Sequence, residues 1–148
     1  MREWTKTPAG EAYKKRQAAY MRQWRKDNRE KSKAILRRSY DKIRLECMQH
    51  YSGQTVPSCR CCGEAMLAFL HLDHKHGDGA AFRKEWALEH GKIAGGTSLY
   101  YWLKREGWPD IGLQVLCANC NLSKRAGRYC AHEIARGVDM DGQPIEVS

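Results

Sequence analysis

Two Cys-x-x-Cys pairs, Cys59 with Cys62 and Cys117 with Cys120, constrain this chain more than any other feature. That spacing lets both thiolates of a pair reach one ion at about 2.3 Å, while amides in the turn offset their charge. Two pairs close one tetrahedral site of four sulfurs and leave no position on the metal for a substrate. The expected ion is a structural Zn²⁺, which contributes folding free energy rather than chemistry. Gly63, directly after Cys62, suits the positive φ such turns often need. Cys61 neighbours Cys62 and could swap into the site, but the two-residue spacing selects Cys59 with Cys62. Of the seven cysteines two more remain. Cys47 reads as a small buried side chain. Cys130 with His132 reads as a spare ligand pair or, more plainly, as part of an ordinary tail.

A chain of 148 residues has room for one domain, or one small domain with an appendage. Its charge is segregated. Residues 1–50 hold 15 Lys and Arg against 6 Asp and Glu, whereas residues 51–148 hold 11 of each, so the whole formal charge of +9 sits on the first third. A segregated basic third is the footprint of a polyanion binder, because each neutralised phosphate releases counterions. The plain alternative is a solvated helix with no partner. With no run of eighteen apolar residues and a polar N-terminus, neither a membrane span nor a secretory signal is expected. Paired cysteines without an export signal read as metal ligands rather than disulfides, and the expected location is intracellular.

Residues 1–10 form a lead ending in Pro8-Ala9-Gly10. A helix is predicted from Glu11 to about Asp27, with Tyr13, Tyr20 and Trp24 on one face and Lys14, Lys15, Arg16, Arg22, Arg25 and Lys26 around them. A second is predicted from about Arg29 to Gln49, its last turns packing on the cysteine-bearing domain. Such a helical pair suits tracking along DNA, or alternatively self-association. Within that domain a strand is predicted around Ala68–Leu72, a turn at Gly77–Gly79 and a helix from Ala80 to about His90. A Gly-rich link spans 91–96, and after it comes a helix from Ser98 to about Glu106 capped by Thr97. A short strand over Leu113–Leu116 leads into the second cysteine pair, and a helix starts near Asn119–Asn121. The tail from Gly127 is weakly patterned, with 139–148 expected to be disordered.

The chemistry is concentrated in His71-Leu72-Asp73-His74-Lys75-His76 and in Asn121, which directly follows the fourth thiol. Phosphodiester hydrolysis needs a neutral base to activate water, a cation on the phosphate and stabilisation of the leaving oxygen. An imidazole can be that base near neutral pH, and a carboxylate plus an amide oxygen suit a hard ion that keeps several waters. Asp73 and Asn121 are therefore candidate ligands of Mg²⁺ or Mn²⁺, and His74 is the candidate base. His71 shares a strand face with Asp73 and is equally well an orienting group or a hydrogen-bonded core histidine. His76 is a candidate phosphate contact or a surface turn residue. Arg83, Lys124 and Arg125 are candidate phosphate contacts or members of a solvated face.

The cysteine knuckle, Leu72-Asp73-His74 and Leu116-Cys117-x-x-Cys120-Asn121-x-x-Lys124 together resemble the ββα-metal, or HNH, endonucleases over about residues 56–130. The resemblance is closest to phage and homing-type members with a zinc knot. The same runs are also similar to the recombination endonuclease VII group, which resolves branched DNA. This likeness implies His74 as general base, Asp73 and Asn121 as ligands of a catalytic divalent ion, and Cys59, Cys62, Cys117 and Cys120 on zinc. The basic N-terminal segment also looks like the arms that precede this domain in phage members. The chain departs from the pattern in several places. Gly112 stands where members usually carry an Asn that orients the base, so orientation of His74 falls to a backbone carbonyl or another side chain, with Asp110 a candidate. The last motif position is Asn121 rather than His, Lys124 replaces an acidic residue of the endonuclease VII group, and the stretch from Gly77 to Ile111 is long.

The expected architecture is α+β: a basic helical DNA-binding arm over 1–50, a zinc-knotted ββα-metal domain over 51–130 and a tail over 131–148. The expected function is metal-dependent endonucleolytic cleavage of DNA, with duplex the expected substrate and 5′-phosphate and 3′-hydroxyl ends the expected products. The alternatives are a zinc-stabilised DNA-binding protein without activity and a resolvase of branched DNA.

Overall fold

The structure, a computed structural model, describes residues 4, 7–91, 95–126 and 129–145, with the side chains of residues 90, 125 and 126 excepted. It is α+β and mostly helical, with one small antiparallel sheet. The elements are α1 (Pro8–Asp27), α2 (Arg29–Ser52), β1 (Leu70–His74), α3 (Gly79–His90), α4 (Gly96–Arg105), β2 (Leu113–Cys117), α5 (Ala118–Ala126) and α6 (Ala131–Arg136). Among the described residues no helix is long and apolar enough to cross a membrane.

The chain divides into two compact units, 1–40 and 41–148. The first holds α1 and the opening turns of α2. α1 starts three residues ahead of the expected Glu11 because Pro8 is tolerated in a first turn, where its missing N–H would be unpaired anyway. Thr7 caps it, its Oγ1 accepting from Gly10 N at 3.1 Å. The helix ends at Asn28, whose side chain donates to Trp24 O at 3.1 Å. Tyr13 and Tyr20 of the aromatic face are exposed, and Trp24 borders an apolar cleft with Tyr20, Met21, Ile35 and Leu36.

The second unit begins at Asp41, ahead of the expected boundary at residue 50, because Ile43, Cys47 and Met48 of α2 are core residues. The rest of that core includes Leu70, Trp86, Tyr100, Leu103, Leu113, Val115 and Leu116, together with Cys59, Cys61, Cys117, Cys120 and Cys130. Arg44 fastens α2 to the entry of β1, donating to Leu70 O at 2.7 Å and Ala68 O at 3.2 Å. The strand begins later than expected, since residues 67–69 close a single 3-10 turn. β1 and β2 pair antiparallel with Leu70 opposite Cys117 and Asp73 opposite Gln114. β2 is buried at all five positions, as its nearly continuous apolar run requires. α5 packs on both strands and α6 on α5.

Two further expectations need correction. α4 has its N-cap at Gly95 with no side-chain cap, so Thr97 lies inside the first turn; Ser98 Oγ instead donates back to Gly95 O at 2.8 Å. The tail over 131–145 is ordered, and of the segment expected to be disordered only 146–148 lie outside the described residues. Cys130 caps α6 in a reciprocal box with Glu133, Val138 bridges Pro144, and the Glu133 carboxylate accepts from Cys130 N at 2.7 Å and Met140 N at 3.0 Å. Local hydrogen bonding substitutes here for the hydrophobic period that the sequence lacks.

Candidate active site and cysteine cluster

Register and helix start together build the site. Asp73 is the fourth residue of β1, and Asn121 lies in the opening turns of α5, immediately after Cys120. A cleft of about 1170 Å³ in the second unit is lined by Asp73, His74, Asn121, Arg83 and Lys124, among other residues. The structure therefore brings the three candidate catalytic residues to one cleft, with three of the candidate phosphate contacts, His76, Arg83 and Lys124. Arg125 lies on α5 with its side chain outside the described set, and Lys14, Lys15, Arg16, Arg22, Arg25 and Lys26 are exposed on α1 of the first unit.

Asp73 is held from two sides through one oxygen. Gln114 Nε2 donates to Asp73 Oδ2 at 2.9 Å, and Lys124 Nζ lies 3.7 Å from the same atom. Among the described residues Oδ1 has no hydrogen-bond partner. Gln114, only 3 % exposed, is itself approached by Arg60 at 3.5 Å, and Arg60 pairs in turn with Asp141. Neither Gln114 nor Arg60 belongs to a motif recognisable from spacing. The available signal was a lone amide in the apolar run Leu113-Gln114-Val115-Leu116, since a buried polar side chain requires a partner.

The His74 ring stacks obliquely on Phe82, with centroids 5.0 Å apart, and the backbone of Gly79 lies against its Nδ1 edge. Nε2 is buried and without a hydrogen-bond partner among the described residues. Asp110 does not orient this ring: its Oδ1 accepts from Gly112 N at 3.4 Å, and the Gly112 carbonyl accepts from Lys75 N at 2.8 Å. Packing between Phe82 and Gly79 takes the place of an orienting hydrogen bond. His71 is exposed, and partial burial of its ring together with Arg44 pulls its pKa below the ordinary histidine value. His76 is exposed beside Gly112, which has no side chain to crowd it.

The sulfurs of Cys59, Cys62, Cys117 and Cys120 lie within 4.8 Å of one another, the arrangement expected from the two pairs. They fit a structural metal such as zinc, being soft donors with no carboxylate among them. Cys62 and Cys117 sulfurs are 3.7 Å apart, and Cys120 N donates to Cys117 Sγ at 3.5 Å. A second set, Cys61, Cys120, Cys130 and His132, satisfies the same separation and shares Cys120. The Cys130 and His132 pair, read from the sequence as spare ligands or as part of an ordinary tail, thus belongs to the cluster.

Proton affinities across the cluster are uneven. Burial raises the Cys59 thiol, but amide donors from Cys117, Cys62 and Cys61 outweigh it and bring the pKa below the ordinary value. Burial also raises Cys130, yet backbone and ring donors of His132 bring it down to about 7. Cys120 is pushed far up by burial and by the facing sulfurs of Cys117, Cys62 and Cys130.

No family model matches this chain, and no curated protein or solved structure matches it.

Proposed function

We propose that the protein is a divalent-metal-dependent DNA endonuclease of the ββα-metal type. The observation that supports this reading best is the convergence of Asp73, His74 and Asn121 on one cleft beside a cysteine cluster. Asp73 Oδ1 and the Asn121 amide oxygen are hard donors suited to Mg²⁺ or Mn²⁺ with several retained waters. When bound, such an ion supplies neutralisation of charge on the phosphate and the leaving oxygen. His74 takes the proton of the attacking water through Nδ1, since Nε2 is buried and without a partner among the described residues. Lys124 and Arg83 hold phosphate oxygens, and the basic face of α1 adds sequence-independent affinity for duplex. Zinc in the Cys59, Cys62, Cys117 and Cys120 site locks β2 to the knuckle and so holds Asn121 in reach.

The test is nicking of supercoiled plasmid with Mg²⁺ and with EDTA. Expected are cleavage with Mg²⁺ only, 5′-phosphate ends, and loss of cleavage in His74→Ala with DNA affinity and zinc content retained. DNA binding without Mg²⁺-dependent cleavage overturns the reading in favour of a catalytically silent binding protein. A strong preference for a cruciform over linear duplex identifies a resolvase.

A further inference from the structure

Cys61, Cys130 and His132 have no part in the catalytic reading, yet they converge on Cys120 from separate places in the chain. Cys61 lies in the knuckle turn, Cys120 opens α5, and Cys130 and His132 form the cap and first turn of α6. Their four ligand atoms lie within 4.8 Å of one another. A tetrahedral ion with bonds of about 2.0 to 2.3 Å separates its sulfur and nitrogen ligands by roughly 3.5 to 3.8 Å. The separations seen are of that size: His132 Nδ1 is 3.4 Å from Cys120 Sγ and 3.5 Å from Cys130 Sγ. In the neighbouring quartet Cys62 and Cys117 stand 3.7 Å apart.

We infer that the chain holds two zinc ions joined through one sulfur: the first on Cys59, Cys62, Cys117 and Cys120, the second on Cys61, Cys120, Cys130 and His132, with the Cys120 thiolate bridging. A thiolate has lone pairs enough for two metals, and Cys120, fully buried between the quartets, is the one sulfur common to both. Borderline-soft donors of this kind select zinc over hard ions.

Three observations make the second quartet a built site rather than a chance meeting of thiols. Cys61, Cys120 and Cys130 are buried, which excludes water from most of its wall. Six thiolates outweigh two divalent ions, and Arg136 answers the excess where Cys61 stands, donating to Cys61 O at 2.9 Å and reaching its sulfur at 3.7 Å. The α6 cap is braced independently: Ala131 N donates to Ser123 Oγ at 3.0 Å, and buried Glu133 closes the loop on Cys130 N. The bridge also gives a reason for the adjacent Cys61 and Cys62. They do not compete for one ion; they point to different ones.

Metal stoichiometry tests the bridged pair independently of any nuclease activity. The full chain, purified and freed of loosely held ions, is assayed for zinc per chain by mass spectrometry. Two per chain are expected, falling to one in a Cys130→Ala, His132→Ala double variant and to none in Cys120→Ala. Cadmium-113 substitution of the wild-type chain gives a readout that needs no variant: two resonances, each split by coupling to the other through the shared sulfur. One zinc per chain, unchanged in the double variant, overturns the second site while leaving the first. Two uncoupled cadmium resonances overturn the bridge. A folded chain without zinc overturns both sites.

Discussion

Gln114 donates its side-chain amide to Asp73 Oδ2 across the two-stranded sheet, at 2.9 Å and directly opposite in register. A carboxylate on a strand has a free torsion at its tip, and a bond to one oxygen fixes where the other points. Here it directs Oδ1 away from Gln114, where the proposed divalent ion would meet it. Such supporting partners of a metal ligand are commonly worth about 10- to 100-fold in affinity or activity. Gln114→Leu keeps the volume and removes the donor. The expected result is a nicking rate at least ~10-fold lower, with a higher Mg²⁺ requirement and unchanged zinc content. Initial rates across a Mg²⁺ titration check it; a variant with the wild-type Mg²⁺ dependence shows that Gln114 serves packing alone.

Gly79 is the second tight point. A Cβ at this position would stand 2.9 Å from His74 Nδ1 and 3.4 Å from Cε1 and Cγ. Phe82 packs on the same ring, which limits how the imidazole could give way. Alanine is otherwise welcome at the start of α3, where it improves helix propensity by up to about 1 kcal/mol. Gly79→Ala should therefore separate stability from activity. Cleavage falls by about 100-fold, the cost of a displacement near 1 Å at the reacting group, while the thermal midpoint changes little. Equal cleavage by the two proteins would mean that His74 Nδ1 is not the working atom.

Two groups near the end of α2 contribute to stability at alkaline pH. Burial pushes the Cys47 thiol up to about 12, and burial, with lesser effects from Cys47 and Asp110, pushes Tyr51 up to about 12. Both pKa values are higher folded than unfolded, so each group holds its proton more tightly in the native state. The stability this provides is full below pH 9 and is lost as pH rises toward 12. Tyr51 also donates to Pro109 O at 2.9 Å. Tyr51→Phe should cost about 1 kcal/mol at pH 7 for the lost bond and should flatten the fall in stability between pH 10 and 12. Urea unfolding at a series of pH values measures both effects.

The site was more legible in the sequence than its surroundings were. Two matched cysteine pairs carry their geometry in their spacing, and Asn121 inherits its position by following Cys120. Asp73 and His74 could be placed at a strand end because apolar residues precede them. Cys130 and His132 were readable as a spare ligand pair but could not be tied to the cluster: nothing local to the tail specifies that α6 folds back, and Glu133 and Ser123 show their use only in three dimensions. Gln114 was hidden for a related reason, because cross-strand register is a pairing property rather than a property of either strand. Sequence patterns single out hydrogen-bonding residues such as Asp110 as orienting groups for His74, whereas the ring is held by contact with Phe82 and Gly79.

Metal removal should expose how little else ties the second unit together. Its sheet has two strands of five residues each, and a sheet of that size is at best marginally stable in water without further support. α5 begins on the cysteine pair itself, and the knuckle meets β2 through Arg60 N, which donates to Val115 O at 2.9 Å. Without an ion, burying several mutually repelling sulfurs opposes that packing. A chelator strong enough to strip zinc should therefore abolish the near-ultraviolet circular dichroism of Trp86 and Trp102, whose rings meet edge to face at 4.5 Å. Acid should act in the same direction, since protons compete with zinc for thiolates. Cys117→Ser should need less chelator than the wild type for the same loss. Added Zn²⁺ should restore the signal and added Mg²⁺ should not, because thiolate sites reject a hard ion. Persistence of the native tryptophan signal after complete zinc removal would show that the apolar core around Leu70, Leu103 and Leu116 is sufficient without the metal.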